Sequence, residues 1–191
     1  MTGTRVKALI AMTLALIAVP VIAQSFSESF RFLKAVRDRD GTTVDTITSN
    51  PSSVAINSRE QSTGETALHI VVRRRDGTWL AFLLGRGARP DVQNNEGATP
   101  LILATQIGWQ EGAETLIARR ANVNMPNSQG ETPLIFAVRR LDIGMVRLLL
   151  ARGANPNLAD HVAGYSAIDY ARQDRRAAAI LRELETRRPA S

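Results

Sequence analysis

The sequence predicts an all-α repeat protein, a solenoid in which helix-turn-helix units stack side by side. Two blocks of residues recur along the chain at a period near 33, and such a period is the signature of a stacked repeat. The first block opens on a glycine in each unit, at Gly64, Gly97, Gly130 and Gly164. The second block opens on a leucine later in the unit, at Leu83, Leu116 and Leu149. Two blocks at a fixed offset make chance agreement remote.

The first block also carries the signals for the start of a helix. A hydroxyl residue that can cap the first turn stands two places after each leading glycine, at Thr66, Thr99, Thr132 and Ser166. Pro100 and Pro133 follow at the first helical position, where a missing N–H has no cost. Gly87 and Gly153 follow the second predicted helix, where a left-handed residue ends it. Arg120 stands at that place in the middle unit, and we expect it to cost about 1 kcal/mol there.

These blocks resemble the ankyrin repeat, whose pattern runs Gly-x-Thr-Pro-Leu-His-x-Ala and later Leu-Leu-x-x-Gly-Ala-x-x-Asn. The resemblance covers roughly residues 58–184, and the chain is most similar to small exported ankyrin proteins of Gram-negative bacteria. It implies units made of a β-turn finger and two antiparallel helices. On this pattern the three full repeats are predicted at 58–93, 94–126 and 127–159.

The two ends of the repeat domain, predicted at 24–186, are expected to be atypical units because one face of each meets water. Residues 27–57 lack the Thr-Pro-Leu block and are predicted to form a degenerate N-terminal cap unit of two helices. Residues 160–186 are predicted as a polar C-terminal cap unit, and 187–191 as a tail.

The first 23 residues are predicted to be a cleavable signal peptide. Arg5 and Lys7 precede an uncharged run from Ala8 to Val19, and a small residue, Ala23, ends the segment. An uncleaved N-terminal anchor is the alternative, although the run is short for a membrane span. Export predicts a periplasmic or secreted protein, with no stable membrane span after cleavage.

Composition and motifs argue against catalysis. The formal net charge is +6, and it falls to +4 without residues 1–23. There is no cysteine, no zinc-protease or nucleophile-elbow motif and no phosphate loop, so we predict no enzyme activity, no cofactor and no metal. His69 stands at the histidine of the ankyrin pattern, which implies a structural role, with a metal or catalytic role as the alternative. An exported protein does not meet chromosomal nucleic acid, so nucleic-acid binding is not expected.

The resemblance places the binding surface on the ends of the first helices and on the finger tips. Two basic pairs, Arg73 with Arg74 and Arg139 with Arg140, flank the pair Gln106 and Ile107 in the middle repeat. The two basic pairs are expected to grip an acidic strand or helix of a partner protein, and a merely solvated charged face is the alternative. The double change Arg73→Glu with Arg139→Glu is expected to weaken binding and leave the melting temperature nearly unchanged.

The finger tips add polar residues that we expect folding to constrain little. The candidates among them are Glu65, Glu96, Gln129, Glu131 and Tyr165. Acidic fingers beside basic helix ends favour a partner with both charge signs. The predicted function is therefore a non-enzymatic protein-protein interaction module, monomeric, acting in the periplasm. The alternatives are an effector exported to another cell, a protein held on anionic lipid, and a small enzyme or ligand carrier built on the repeat.

Overall fold

A computed structural model describes residues 28–50 and 52–186. The predicted signal peptide and the predicted tail lie outside these residues. The chain divides into two compact units after Ser58. Within the described residues of the first unit, α1 spans 28–38, α2 spans Gly41–Thr48, and a 3-10 turn spans Ala55–Asn57.

The second unit consists of four consecutive helix pairs, as the repeat pattern predicts. The first helices of the pairs are α3 (Ala67–Arg73), α5 (Pro100–Gln106), α7 (Pro133–Arg139) and α9 (Ala167–Gln173). The second helices are α4 (Gly77–Gly85), α6 (Gln110–Ala118), α8 (Ile143–Ala151) and α10 (Ala178–Thr186). A 3-10 turn, Arg175–Ala177, precedes α10. The described residues contain no β-strand, and a single isolated bridge joins Ala159 to Ser166.

The helix pairs stack in two layers. Each first helix packs on the next first helix and each second helix on the next second helix, and the two helices of a pair also pack on each other. The leucine that follows the N-cap faces this stack in three units and an isoleucine does so in the fourth, with at most 2% of each residue exposed at Leu68, Leu101, Leu134 and Ile168. Burial of such residues is the main stabilising contribution in a fold without disulfides.

The first helices begin where the sequence predicts. The hydroxyls of Thr99, Thr132 and Ser166 accept a hydrogen bond from the N–H three residues on, at the first turns of α5, α7 and α9. Pro100 and Pro133 occupy the first helical positions of α5 and α7. The predicted and observed helix starts agree because capping and the proline preference depend only on neighbouring residues in the sequence.

The second helices end on left-handed residues, also as predicted. Gly87 and Gly153 have φ of +89° and +85°, and Arg120 adopts +67° at the equivalent place. The turn between the two helices of a unit uses the left-handed region too, at Arg75 (+53°) and Leu141 (+59°). Neither of these is glycine, so each carries a conformational cost that the packing on both sides offsets.

The N-terminal compact unit, which ends at Ser58, contains the two helices predicted for residues 27–57. Phe32, Val36 and Val44 are fully buried, and the Asp40 carboxylate accepts the Thr43 N–H at the start of α2. Phe30, also on α1, is 64% exposed. None of the described helices is both long enough and apolar enough to cross a membrane.

Candidate protein-binding site

The fingers are the turns that precede the first helices, and the last three of the four are each shaped by one polar side chain. Asn94, Asn127 and Asp160 recur at a spacing of 33, and their Oδ1 atoms accept backbone N–H groups two to four residues on, at 2.6–3.3 Å. Such side chains hold a tight turn because they replace a backbone acceptor. The recurrence is visible in the sequence, but no finger residue was predicted from it.

Consecutive fingers are joined by backbone hydrogen bonds at their tips. Asn95 N donates to Thr63 O at 2.9 Å, Ser128 N to Glu96 O at 3.2 Å, and His161 N to Gln129 O at 2.7 Å. The tips therefore form one connected row, and their side chains are presented on a common support.

Two of the predicted tip residues are not free surface groups. Glu65 and Glu131 are each 8% exposed, and they form ion pairs with Arg73 and Arg139 respectively. Glu65 Oε1 accepts from Arg73 Nε at 2.7 Å and from Nη2 at 2.5 Å. The expectation of weak folding constraint at these glutamates is wrong, because each lies at the base of its finger, within reach of the arginine eight residues later.

Basic residues on either side of the middle repeat also donate hydrogen bonds within the protein. Arg140 Nη1 donates to the carbonyl oxygen of Gln106 at 2.8 Å, and Arg75 Nη2 donates to that of Ile107. Cations are favourable at the C-terminus of a helix, here α5, where carbonyl groups lack helical partners. Arg75, which belongs to the first repeat, therefore caps the C-terminal end of α5 in the next repeat. Arg74 is the exposed C-cap residue of α3.

His69 has the structural role that its place in the pattern implies. It is fully buried, its Nδ1 accepts the Thr66 N–H at 3.2 Å, and its Nε2 lies 2.9 Å from the carbonyl oxygen of Ala98. The imidazole therefore carries its proton on Nε2 and links one finger to the next. Burial lowers the pKa of His69, against the opposing effects of the Ala98 carbonyl and the Glu65 charge.

A groove of about 700 Å³ lies between the fingers and the first helices of the last three units. It brings together five of the predicted site residues, namely Glu96, Gln106, Gln129, Glu131 and Arg139. The other predicted residues do not line it, and they are Glu65, Arg73, Arg74, Ile107, Arg140 and Tyr165. The groove therefore lies toward the C-terminal end of the predicted surface.

Sequence reasoning missed the apolar part of this groove, which Phe136, Val162 and Tyr170 provide. Phe136 and Tyr170 belong to a row of equivalent first-helix positions whose earlier members, Ile70 and Leu103, are 8% and 5% exposed. Phe136 and Tyr170 are half-buried, and Val162 on the last finger is 77% exposed. The change from aliphatic to aromatic residues along this row was the signal in the sequence.

Tyr170 connects the helix side of the groove to the last finger. Its hydroxyl donates to Asp160 Oδ2 at 2.7 Å, its ring makes an edge contact with Tyr165 at 5.6 Å, and Arg139 lies over it at 5.7 Å. Burial raises the pKa of Asp160, but the hydrogen bonds from the Tyr170 hydroxyl and the finger N–H groups outweigh it and lower the pKa overall. The hydrogen bond to Asp160 raises the pKa of Tyr170.

Within 28–50 and 52–186, no group of three or more His, Asp or Glu side chains is close enough to hold a metal ion. The groove offers a mixture of apolar, hydrogen-bonding and charged groups, and hydrogen bonds join the fingers that line it.

Finger-and-helix-pair units, linked from tip to tip and stacked in two layers, define an ankyrin-type solenoid. The comparison with protein families agrees, because residues 68–160 match the model described as ankyrin repeats in three copies. The matched range is therefore built from ankyrin repeats, and it includes most of the three full repeats that the sequence predicts. Ankyrin repeats generally mediate protein–protein interaction, and proteins built from them are typically non-enzymatic.

Proposed function

We propose that this protein is a non-enzymatic binding module that holds a partner protein against the fingers and first helices of its last three units. The observation that carries the proposal is the groove of about 700 Å³ on this face, in the part of the chain built from ankyrin repeats. Its lining combines half-buried aromatic rings with exposed charged and amide groups, and such a mixture suits a segment of protein chain.

The support of the groove favours binding without rearrangement. The fingers that line it are fixed internally by Asn127 and Asp160 and joined to each other through the hydrogen bond from His161 N to Gln129 O. A surface that is already ordered loses little conformational entropy when a partner binds, which favours affinity.

Site-specific photocrosslinking tests the location of the surface. A photoreactive residue in place of Gln129, on a finger tip in the groove, should crosslink a discrete partner in the cells that produce the protein. The matched position is Glu111 on α6, which is also exposed but belongs to the layer of second helices. Equal crosslinking from both positions, or from position 111 alone, would contradict the proposed surface.

The proposed site of action is the periplasm, and it rests on the signal-like segment at residues 1–23. The mass of the protein purified from its own cells tests this, because the proposal predicts a chain that begins at Gln24 and fractionates with periplasmic contents. A full-length chain recovered from the cytoplasm would disprove the location and leave the binding proposal standing.

A further inference from the structure

We propose that the groove selects a protein segment in which a lysine or arginine stands beside a large apolar residue. The cation would lie against Glu96, and the apolar side chain against Phe136, Val162 and Tyr170. The inference rests on the proposed function and gives its partner a definite chemistry, opposite in charge to the acidic partner that the arginine pairs suggest in the sequence.

The charges of the groove carry the first step. The lining contains three carboxylates, Glu96, Glu131 and Asp160, and one cation, Arg139. Its formal charge is therefore −2, on a chain whose total is +6. Arg140 donates to the Gln106 carbonyl from outside this lining. The groove is therefore a local negative site on a basic protein, and it attracts a cationic segment.

The carboxylates of the groove are not equally available. Glu131 is paired with Arg139 and also accepts from Asn127 Nδ2 at 2.8 Å, while Asp160 is 4% exposed and holds the last finger together. Glu96 is exposed, and its carboxylate has no partner within the part of the chain that the structure describes. Glu96 is therefore the carboxylate of the groove with which a ligand cation can pair.

Arg139 is correspondingly unsuited to hold an acidic ligand. Its guanidinium is committed to Glu131 on one side and lies over the ring of Tyr170 on the other. A ligand carboxylate would have to compete with an intramolecular carboxylate that is already in place and only 10% exposed. Arg73, the other arginine predicted to bind an acidic partner, is paired with Glu65 in the same way, so it is also unsuited to hold an acidic ligand.

The apolar contacts define the second element of the ligand. Val162 has 77% of its surface exposed on the last finger, and half-buried Phe136 and Tyr170 lie on neighbouring first helices. Covering these groups with an apolar side chain removes apolar surface from water, which favours binding. A segment with only charged residues would leave this area uncovered.

The test is selection of a displayed library of random peptides on the intact protein, followed by anisotropy measurements with the most enriched peptide. We expect enriched sequences to place Lys or Arg within two residues of Leu, Ile, Phe or Trp. Glu96→Lys should weaken that peptide at least tenfold, whereas Glu111→Lys, an equal change of charge on exposed α6, should change affinity less than twofold.

Val162→Ser and Val54→Ser provide the matched apolar pair, because both valines are highly exposed, at 77% and 73%, and neither change is expected to disturb folding. Val162→Ser should weaken the peptide severalfold and Val54→Ser should leave it unchanged. Enrichment of acidic peptides that lose affinity in Val162→Ser would overturn the cationic ligand and leave the proposed function intact. Absence of any enriched peptide, or binding indifferent to both groove variants, would overturn both.

Discussion

The first and third full repeats contain the same ion pair in two different surroundings. Glu65 with Arg73 and Glu131 with Arg139 join a buried glutamate at the base of a finger to an arginine at the end of a first helix. The arginine side chains are similarly exposed, at 55% and 49%. The pair is absent from the repeat between them, where Ala98 and Gln106 stand at the equivalent positions.

The difference lies in the unit that follows each pair. Beyond Arg139 the next first helix presents Tyr170, whose ring lies under the guanidinium and lines the groove. Beyond Arg73 the equivalent residue is Leu103, which is 5% exposed and does not line it. The same pair of residue types therefore lines the groove in the third repeat and does not line it in the first, because the neighbouring unit decides what the pair faces.

Among the variants that test this comparison, Gly130→Ala is expected to lower the free energy of unfolding most. Gly130 has φ of +83°, and a Cβ there would lie 2.7 Å from the backbone N of His161 on the next finger. We expect a loss of about 3 kcal/mol in the free energy of unfolding, from backbone strain and from this overlap. Chemical denaturation followed by circular dichroism measures it.

Gly164→Ala is the matched control for that change. Its φ is +70°, but a Cβ at this position meets no atom within 4 Å, so only strain of about 1 kcal/mol is expected. Equal losses for the two variants would show that contact between the two fingers adds nothing to the stability of the groove.

The arginine reversals are expected to come next in size. Arg139→Glu places a carboxylate beside the buried Glu131, and Arg73→Glu does the same to Glu65, so each should cost about 1–2 kcal/mol. The expectation from the sequence that both changes leave stability unaltered does not fit this geometry. Binding separates the two variants, because only Arg139→Glu changes the groove.

The middle repeat supplies the control for the reversals. Glu65→Ala together with Arg73→Gln reproduces its residues, removes both charges and should be close to neutral, since no buried charge is left unpaired. A double variant less stable than Arg73→Glu would contradict this account of the pair.

Much of the fold could be predicted because its determinants are local. The caps at Thr99 and Thr132 and the left-handed ends at Gly87 and Arg120 follow from residue chemistry at a fixed place in the repeat. The period of 33 then places every helix pair of the three full repeats.

The candidate site was less predictable because it depends on contacts between units. The place of Glu65 and Glu131 on the fingers predicts exposed side chains, yet an arginine eight residues away pairs with each. The apolar side of the groove is formed by residues of α7, α9 and the last finger. Phe136 and Val162 belong to different repeats, so the pattern within one repeat does not predict that they lie together.

His69 should give the first repeat a pH dependence that the third repeat lacks, since Ile135 stands at the equivalent position. Burial lowers the pKa of His69 below its ordinary 6.5, so the unfolded chain binds the proton more readily than the folded one. Stability should therefore be complete above about pH 6.5 and fall below it, by up to about 1.4 kcal/mol per pH unit. Denaturation at pH 7.5 and 5.5 should show this slope in the parent protein and not in His69→Gln.

Tyr170→Phe is expected to have the smallest effect, about 1 kcal/mol, because it removes one hydrogen bond and keeps the ring in the groove. It also removes one cause of the lowered pKa of Asp160. A carboxyl whose pKa is lowered by folding stabilises the protein above its unfolded pKa of about 4, and this contribution is lost as the pH falls. Stability in the variant should therefore depend less on pH below 4 than in the parent, and a carboxyl titration by NMR should find the pKa of Asp160 raised. An unchanged pKa would mean that the finger N–H groups alone hold the charge of Asp160, and that the hydroxyl serves only to orient the ring of Tyr170.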